Sequence, residues 1–391
     1  MIPFVDLASD FALVEKQARK RIDDVLARQL FVHGPQTAEL ERAIQELTGA
    51  RFAIACSSGS DALYLALLAL GIGPGDAVIV PAFTFFASAG AVVRAGAQPV
   101  FCDIDDRTFL AGAAQMAAAV DRHFDGSLRH RRTRARLRAL LPVHLYGRMT
   151  AMDELVSYAR ERDLRVIEDA AQALGARSDA GAAAAVGDAG CLSFYPTKNL
   201  GGPGDGGMVV TNDQTLARRL SRLRVHGAAP GSYEHEDAGI NARMNELVAA
   251  VLNAKLSHLA AWNARRQEIA ALYERHLAPA AAANILILPQ PATGKEHVWH
   301  QLTVRVPCGR DAVQARLERE GIATRVFYPL PLHLQPCLAA EGGARGDLPV
   351  SERMAEQVLS LPIYPSLADE AVAAVCAGLS AACGDAAHGQ R

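Results

Sequence analysis

The sequence predicts an α/β protein: a large domain with a mainly parallel sheet covered by helices, followed by a smaller α+β C-terminal domain. Three observations carry this expectation. From about residue 50, short apolar runs alternate with amphipathic helical stretches. The runs are apolar throughout rather than at every second residue, as strands buried on both faces must be. A long helical stretch over 245–276 then leads into a separate set consisting of a strand and two helices.

In order, FALVEKQARKRIDDVLARQL (11–30) has apolar residues at helical spacing. AIAC (53–56) is a strand before the helical DALYLALLALG, and AVIVP (77–81) is a strand before FFASAGAVVRAG. PVFCDID (99–105), LLPVHLYG (140–147) and LRVIEDAA (164–171) continue the alternation, with AMDELVSYARERD as the helix between the last two. CLSFY and GMVVT read as two more buried strands. Beyond 276 come QLTVRVP (301–307) as a strand, AVQARLEREG (312–321) as a helix and a closing helix around 368–382. The expected division is 1–255 for an N-terminal segment and the large domain, and 256–391 for the smaller one. The basic segment 121–138 reads as a solvated loop and helix, because no aromatic residues interleave with its arginines as a nucleic-acid site requires. The closing GDAAHGQR reads as a frayed end.

Composition narrows the function. With 40 basic and 42 acidic side chains the net charge is −2, which excludes a generally basic nucleic-acid binder or a polybasic membrane binder. A chain of 391 residues, half of them hydrophobic, buries a large core and is not disordered. Seven scattered cysteines without a C-x-x-C pair argue for a reduced protein lacking a disulfide framework or zinc ribbon. No cationic start followed by an apolar core opens the chain, and its apolar stretches are broken well short of a membrane span. The expectation is a soluble cytoplasmic protein with no nucleic-acid or membrane partner.

Only five of the 40 basic residues are lysine: Lys16, Lys20, Lys198, Lys255 and Lys295. Arginine carries charge elsewhere, so a lysine inside a motif is a candidate for chemistry that guanidinium cannot perform. In a parallel sheet ligands sit at the carboxyl ends of the strands. Four polar groups follow apolar runs and so meet at one edge: Ser57–Asp61, Phe83–Phe86, Asp169–Gln172 and Ser193–Lys198.

Lys198 lies in SFYPTKNLGGPGDGG, after a strand and before a glycine-rich turn. A Schiff base with an aldehyde cofactor needs an amine that can lose its proton. Taken alone, a surface lysine before a turn explains the pattern better. Asp169, in RVIEDAAQ, suits pairing with a pyridine nitrogen and equally suits capping a helix, with Gln172 one turn on. CSSGSDAL (56–63) opens a helix with free N–H groups, an anion site or an ordinary cap. The aromatic residues of PAFTFFAS (81–88) stack on a ring or simply fill core.

In sequence order, a phosphate turn, an aromatic, an aspartate and a lysine after a serine-ended strand resemble fold-type I pyridoxal phosphate enzymes. FVHGPQTAELE, GSDAL, GPGDAVIVPAFTF, IEDAAQALGA, SFYPTKNLGGPGDGG, RVHG, GINARMNEL and FYPLPLH resemble the nucleotide-sugar aminotransferases of the DegT/DnrJ/StrS family from about residue 3 to 365. The resemblance implies a seven-stranded type of sheet and pyridoxal 5'-phosphate as cofactor. It implies Lys198 as the attachment point and proton carrier, Asp169 at the pyridine nitrogen, Phe85 on the ring and Gln172 at the ring hydroxyl. Ser60, Asp61 and Ser193 would hold the phosphate, joined by Asn241 from a neighbouring subunit, so that a homodimer shares two active sites. Arg243, Tyr328 and His333 would meet the substrate. L-glutamate would donate the amino group to a nucleotide-diphosphate keto sugar. FYPLPLH resembles members that aminate C3, which points to a dTDP-3-keto-6-deoxyhexose. C3 amination of a UDP-3-keto-uronic acid, or C4 amination of a 4-keto-6-deoxyhexose, is the alternative, and Phe327 departs from the histidine that several members carry. A regulator that keeps the fold without the chemistry is the non-enzyme alternative.

Overall fold

The computed structural model describes residues 1–229, 231, 233–291, 296–341 and 343–388. Lys295 and the last three residues of the expected frayed end lie outside these. Residues 384–388 do not fray but finish the closing helix Asp369–His388.

The strands are β1 Phe52–Cys56, β2 Asp76–Pro81, β3 Gln98–Cys102, β4 Arg136–Leu140 and β5 Arg165–Asp169. A short hairpin, β6 Arg177–Ser178 and β7 Gly181–Ala182, precedes β8 Ala189–Ser193 and β9 Gly207–Thr211. Seven of these form one sheet in the order β1-β9-β8-β5-β4-β2-β3. Only β9 runs against its neighbours in that sheet; it pairs antiparallel with β1 and β8 while the other pairs are parallel. The carboxyl ends of β1, β2, β5 and β8 therefore share an edge. Gly207, the first residue of β9, pairs with Cys56 at the end of β1 and Ser193 at the end of β8, which brings the glycine-rich turn to the same edge.

Helices form where the sequence supplies apolar faces to cover this sheet. Gly59–Ala69 buries Ala62, Leu63, Leu65, Ala66, Leu67 and Ala69, so most of its surface is inside. The stretch 245–276 resolves into two helices, Glu246–Leu256 and Leu259–Ala282. The first packs on Glu15–Arg28 and Pro35–Thr48. The second leaves the main core and supplies Ile269, Tyr273 and Leu277 to a second cluster. There they meet the antiparallel pair β10 Leu302–Arg305 and β11 Val358–Leu361, and the helices Arg310–Arg319 and Asp369–His388. The N-terminus joins this cluster through a bridge between Ile2 and Ile322. The basic segment ends a helix at His123, turns through 124–135 and enters β4, with Arg129, Arg131, Arg132 and Arg134 exposed. Arg134 pairs with Asp125 and Arg122 with Asp347.

Among the described residues no helix is long and apolar enough to cross a membrane, and no His/Cys/Asp/Glu group is arranged to hold a metal ion. The seven cysteines are free.

The two acids that end β5 separate because successive strand residues face opposite ways. Glu168 turns into the core. Its carboxylate accepts from the Ala184, Val186 and Gly187 N–H groups at 2.9, 2.8 and 2.6 Å and lies 2.9 Å from His144 Nε2. Asp169 turns toward the open edge. Removing Glu168 strands three N–H donors and a histidine in a dry core. Glu168→Ala should therefore cost about 3–5 kcal/mol, as for a broken buried pair. A clear drop in the urea midpoint of the apoprotein is expected, and an unchanged midpoint would contradict this role.

Candidate active site

Four strand ends build the site. After β1, Ser58 caps the helix Gly59–Ala69 and its hydroxyl accepts from Asp61 N–H at 3.0 Å. The first N–H groups of a helix have no intrahelical partner, so those of Gly59 and Ser60 face outward at its positive end. The turn is tight on both sides. A Cβ at Gly59 would lie 2.6 Å from Ser193 Cβ, and one at Gly207 would lie 2.2 Å from the Ser58 carbonyl oxygen. This brings Gly59, Ser60 and Ser193 together around a cradle open to an anion, a good fit for a phosphate monoester.

Asp61 differs from its expected role. Its carboxylate accepts from Ser57 Oγ at 2.5 Å, Ser58 Oγ at 3.2 Å and Arg94 at 2.6 Å, while its N–H serves the Ser58 cap. With side chain and N–H both engaged inside the turn, Asp61 braces the cradle and does not face the anion. These bonds and the Arg94 guanidinium hold its carboxyl below the usual carboxylate range against the opposing effect of burial, the largest single influence.

Asp169 occupies the end of β5. Its Oδ2 accepts from Ser88 Oγ at 2.8 Å and its Oδ1 from Ala171 N–H at 3.2 Å. Ser88 is fully buried on the helix Ala87–Arg94, and Thr84 Oγ1 lies 3.3 Å from its hydroxyl. The sequence reading missed Ser88; the only signal was a hydroxyl one turn beyond Thr84 in TFFAS. Gln172 accepts from Tyr146 N–H at 2.6 Å through Oε1, which orients its amide so that Nε2 donates to Tyr328 Oη at 3.3 Å. Tyr328 in turn stands 6.0 Å from the Phe85 ring and 6.4 Å from Phe83. Phe83 is buried core, as the bland reading of its stretch expected. Phe85 is 55% exposed, an aromatic face held out at the sheet edge just before the helix Ala87–Arg94 that carries Ser88.

Lys198 follows β8 on a turn closed by its own N–H donating to the Tyr195 carbonyl at 2.8 Å. The residue is half-buried, and enclosure of the amine lowers its pKa to about 8; the Asp169 carboxylate opposes that shift. An amine near 8 can shed its proton close to physiological pH far more readily than an ordinary lysine, although the charged form still predominates there. His300, behind it, is held well below its usual pKa, chiefly by burial and also by the Lys198 charge. The structure thus gathers Ser60, Phe85, Asp169, Gln172, Ser193, Lys198 and Tyr328 at one edge.

Three expected residues stand apart. His333 is not at this edge. Its side chain is buried, its Nε2 lies 3.1 Å from Glu352 Oε1, and it lines a small cavity with His123, His130 and Asp347 near the outer end of β3. Burial against Glu352 makes it a structural histidine, not a substrate contact. Asn241 is exposed, and Arg243 Nε donates to its Oδ1 at 3.0 Å. Between them Ala242 is buried and its carbonyl accepts from Ser57 N–H at 3.1 Å, so the strip is anchored beside the cradle with Asn241 facing outward.

A flat ring carrying a phosphate, an aldehyde and a protonatable nitrogen fits this donor set: anion cradle, aromatic face, carboxylate and an amine whose proton is loosened by enclosure. Comparison with known proteins agrees. Residues 13–380 match the model of the DegT/DnrJ/EryC1/StrS aminotransferase family. Two curated relatives are each 43% identical: a pleiotropic regulatory protein of Geobacillus stearothermophilus, over 94% of this chain and 95% of that one, and a UDP-N-acetyl-3-dehydro-alpha-D-glucosamine 3-aminotransferase of Acidithiobacillus ferrooxidans, over 96% of each. A dTDP-3-amino-3,4,6-trideoxy-alpha-D-glucose transaminase of Streptomyces venezuelae is 41% identical over 94% of this chain and 92% of its own. The crystal structure of the S. venezuelae protein DesV with a ketimine intermediate superposes with a TM-score of 0.89 at 39% identity, covering 98% of both chains. The chain belongs to the DegT/DnrJ/EryC1/StrS family and is a pyridoxal phosphate-dependent aminotransferase.

Proposed function

We propose that the enzyme moves an amino group from L-glutamate to C3 of a nucleotide-linked 3-keto sugar, with a dTDP-3-keto-6-deoxyhexose as the preferred acceptor. The observation that carries the chemistry is the Lys198 amine, enclosed at the same edge as Asp169. The sugar class rests on the FYPLPLH stretch and on the 3-keto or 3-amino sugars named for two of the relatives. The UDP-linked substrate of the Acidithiobacillus enzyme favours a second reading, in which the nucleotide is UDP.

Pyridoxal phosphate, when bound, supplies an aldehyde that captures an amine and a protonated ring that draws electrons from the adjoining C–H bond. Gly59, Ser60 and Ser193 would hold its phosphate, with Asp61 bracing the turn from within. Asp169, fixed by Ser88, would keep the ring nitrogen protonated. Phe85 would cover one ring face, and Gln172, oriented by Tyr146, would donate to the ring hydroxyl. Lys198 is the attachment point, and once displaced its amine accepts and returns the proton that moves between carbons. Tyr328 borders the sugar's approach, with Arg243 the candidate for a carboxylate or diphosphate. Phe327, packed 5.9 Å from the Phe4 ring, contributes an apolar wall where several family members carry histidine.

We further infer a homodimer in which Asn241 of one subunit completes the phosphate site of the other. The apolar residues Leu26, Leu30, Phe31 and Val32 are exposed on one chain, next to an open cavity of about 820 Å³ lined by His33, Phe52, Ile54 and Val225. Exposed apolar surface of this kind is what a second subunit covers. The same reading keeps a division near residue 255, supported by the second buried cluster that starts at Ile269, although Leu259, Val298 and Met354 still pack in the first. A cytoplasmic location is part of the same reading.

Purified protein should be yellow, with near-visible absorbance that shifts on adding glutamate. Lys198→Ala should abolish that shift and reduce amino transfer by at least about 10²–10⁴-fold; retained transfer would refute the assignment. In wild-type apoprotein, attachment of pyridoxal phosphate should quicken with rising pH and level off above about 8, because only the neutral amine attacks. A plateau delayed to ordinary lysine values would contradict the enclosure of Lys198. Mixing inactive Lys198→Ala with inactive Asn241→Asp protein should restore about a quarter of the activity through random assortment of a two-fold dimer. No recovery would mean that Asn241 serves its own subunit's site. A coupled assay with 3-keto and 4-keto forms of dTDP and UDP sugars decides the acceptor; turnover of 4-keto forms alone would overturn C3 amination.

A further inference from the structure

Among the described lysines Lys198 is half-buried and Lys255, near the end of the helix Glu246–Leu256, is the buried one. Lys16 and Lys20 are exposed. In a chain that uses arginine for 35 of its 40 positive charges, an interior lysine marks a place that needs a compact ammonium. Lys255 Nζ donates to the Gly201 carbonyl at 2.8 Å, three residues beyond Lys198.

The turn that carries Lys198 folds back on itself. Gly202 N–H donates to the Phe194 carbonyl at 2.8 Å, and a Cβ at Gly201 would sit 2.1 Å from the Pro196 carbonyl oxygen. Asn199 fastens one side, with its Nδ2 donating to Asn263 Oδ1 at 2.8 Å and the Val298 carbonyl at 3.0 Å. Lys255 fastens the other. Beneath the turn, a narrow cavity is bordered by Asp10, Lys198, Gly201, Lys255 and Arg266. Asp10, from the helix Leu7–Ala12, interacts with both buried cations, and its Oδ1 and Arg266 Nε are buried without a hydrogen-bond partner. Arg266 in turn donates to the Ile363 carbonyl at 2.8 Å, tying this floor to the second cluster.

We propose that Lys255 is a positioning residue for Lys198: through the Gly201 carbonyl it fixes the turn and so sets where the reactive amine stands, with Asp10 as its countercharge. This rests on the assignment of Lys198 as the attachment point.

The test is the rate at which apoprotein binds pyridoxal phosphate covalently, followed by near-visible absorbance from pH 6 to 9, together with the urea midpoint of each apoprotein. Lys255→Met should slow attachment about tenfold at its plateau, since small misplacements of a reacting group are costly. The pH midpoint should stay at the wild-type value, because the Lys198 amine remains enclosed. Lys255→Arg, which keeps the charge, should fold and still be slowed several-fold. A wild-type plateau rate in whichever variant folds would overturn the proposal, even if its urea midpoint falls, since that result leaves Lys255 a purely structural role. A displaced pH midpoint with an unchanged plateau would also overturn it. Failure of the wild-type apoprotein to form the chromophore would instead refute the assignment of Lys198 itself.

Discussion

One constraint organises this molecule: an amine must be able to give up its proton readily at the edge of a sheet while a carboxylate stands nearby. Enclosing the amine disfavours its charge, and the carboxylate favours it, so the balance depends on geometry. The parallel sheet supplies that geometry. It brings the ends of β5 and β8 to one edge, and the reversed strand β9 closes the glycine-rich turn against β1. Glu168 and Asp169 illustrate the same rule within one dipeptide. Strand alternation sends Glu168 into a fully bonded core position and leaves Asp169 at the edge, fixed by a buried serine.

Much of this was legible in the sequence because it depends on pattern. Continuous apolar runs reported buried parallel strands, and CSSGSDAL reported the opening of a helix at the sheet edge. The order of CSSGSDAL, Phe85, Asp169 and Lys198 reported that these segments meet at one edge; the proposed reactive role of Lys198 rests on that set rather than on the lysine alone. The antiparallel course of β9 was not legible, since GMVVT reads the same in either direction. Direction is fixed by the turn before it, where Gly207 must lie against Ser58.

Side-chain direction was the main thing the sequence withheld. Asp61 stands in the phosphate turn yet faces inward, because Ser57, Ser58 and Arg94 all point at its carboxylate. His333 lies five residues from Tyr328, but Glu352 holds it in the core beyond β3. Ser88 and Tyr146 were invisible for the opposite reason: each bonds a site residue from a distant segment, as Lys255 bonds the Gly201 carbonyl, and only the folded chain brings them together. The scarcity of lysine, a matter of composition, turns out to bear on two residues on either side of one turn. Lys198 stands near Asp169, and Lys255 bonds the Gly201 carbonyl of the same turn.

The most direct measurement is borohydride reduction of the holoenzyme followed by peptide mass spectrometry. The cofactor's mass should appear on the peptide containing Lys198. Finding it on Lys255 or any other lysine, or on none, would contradict the account.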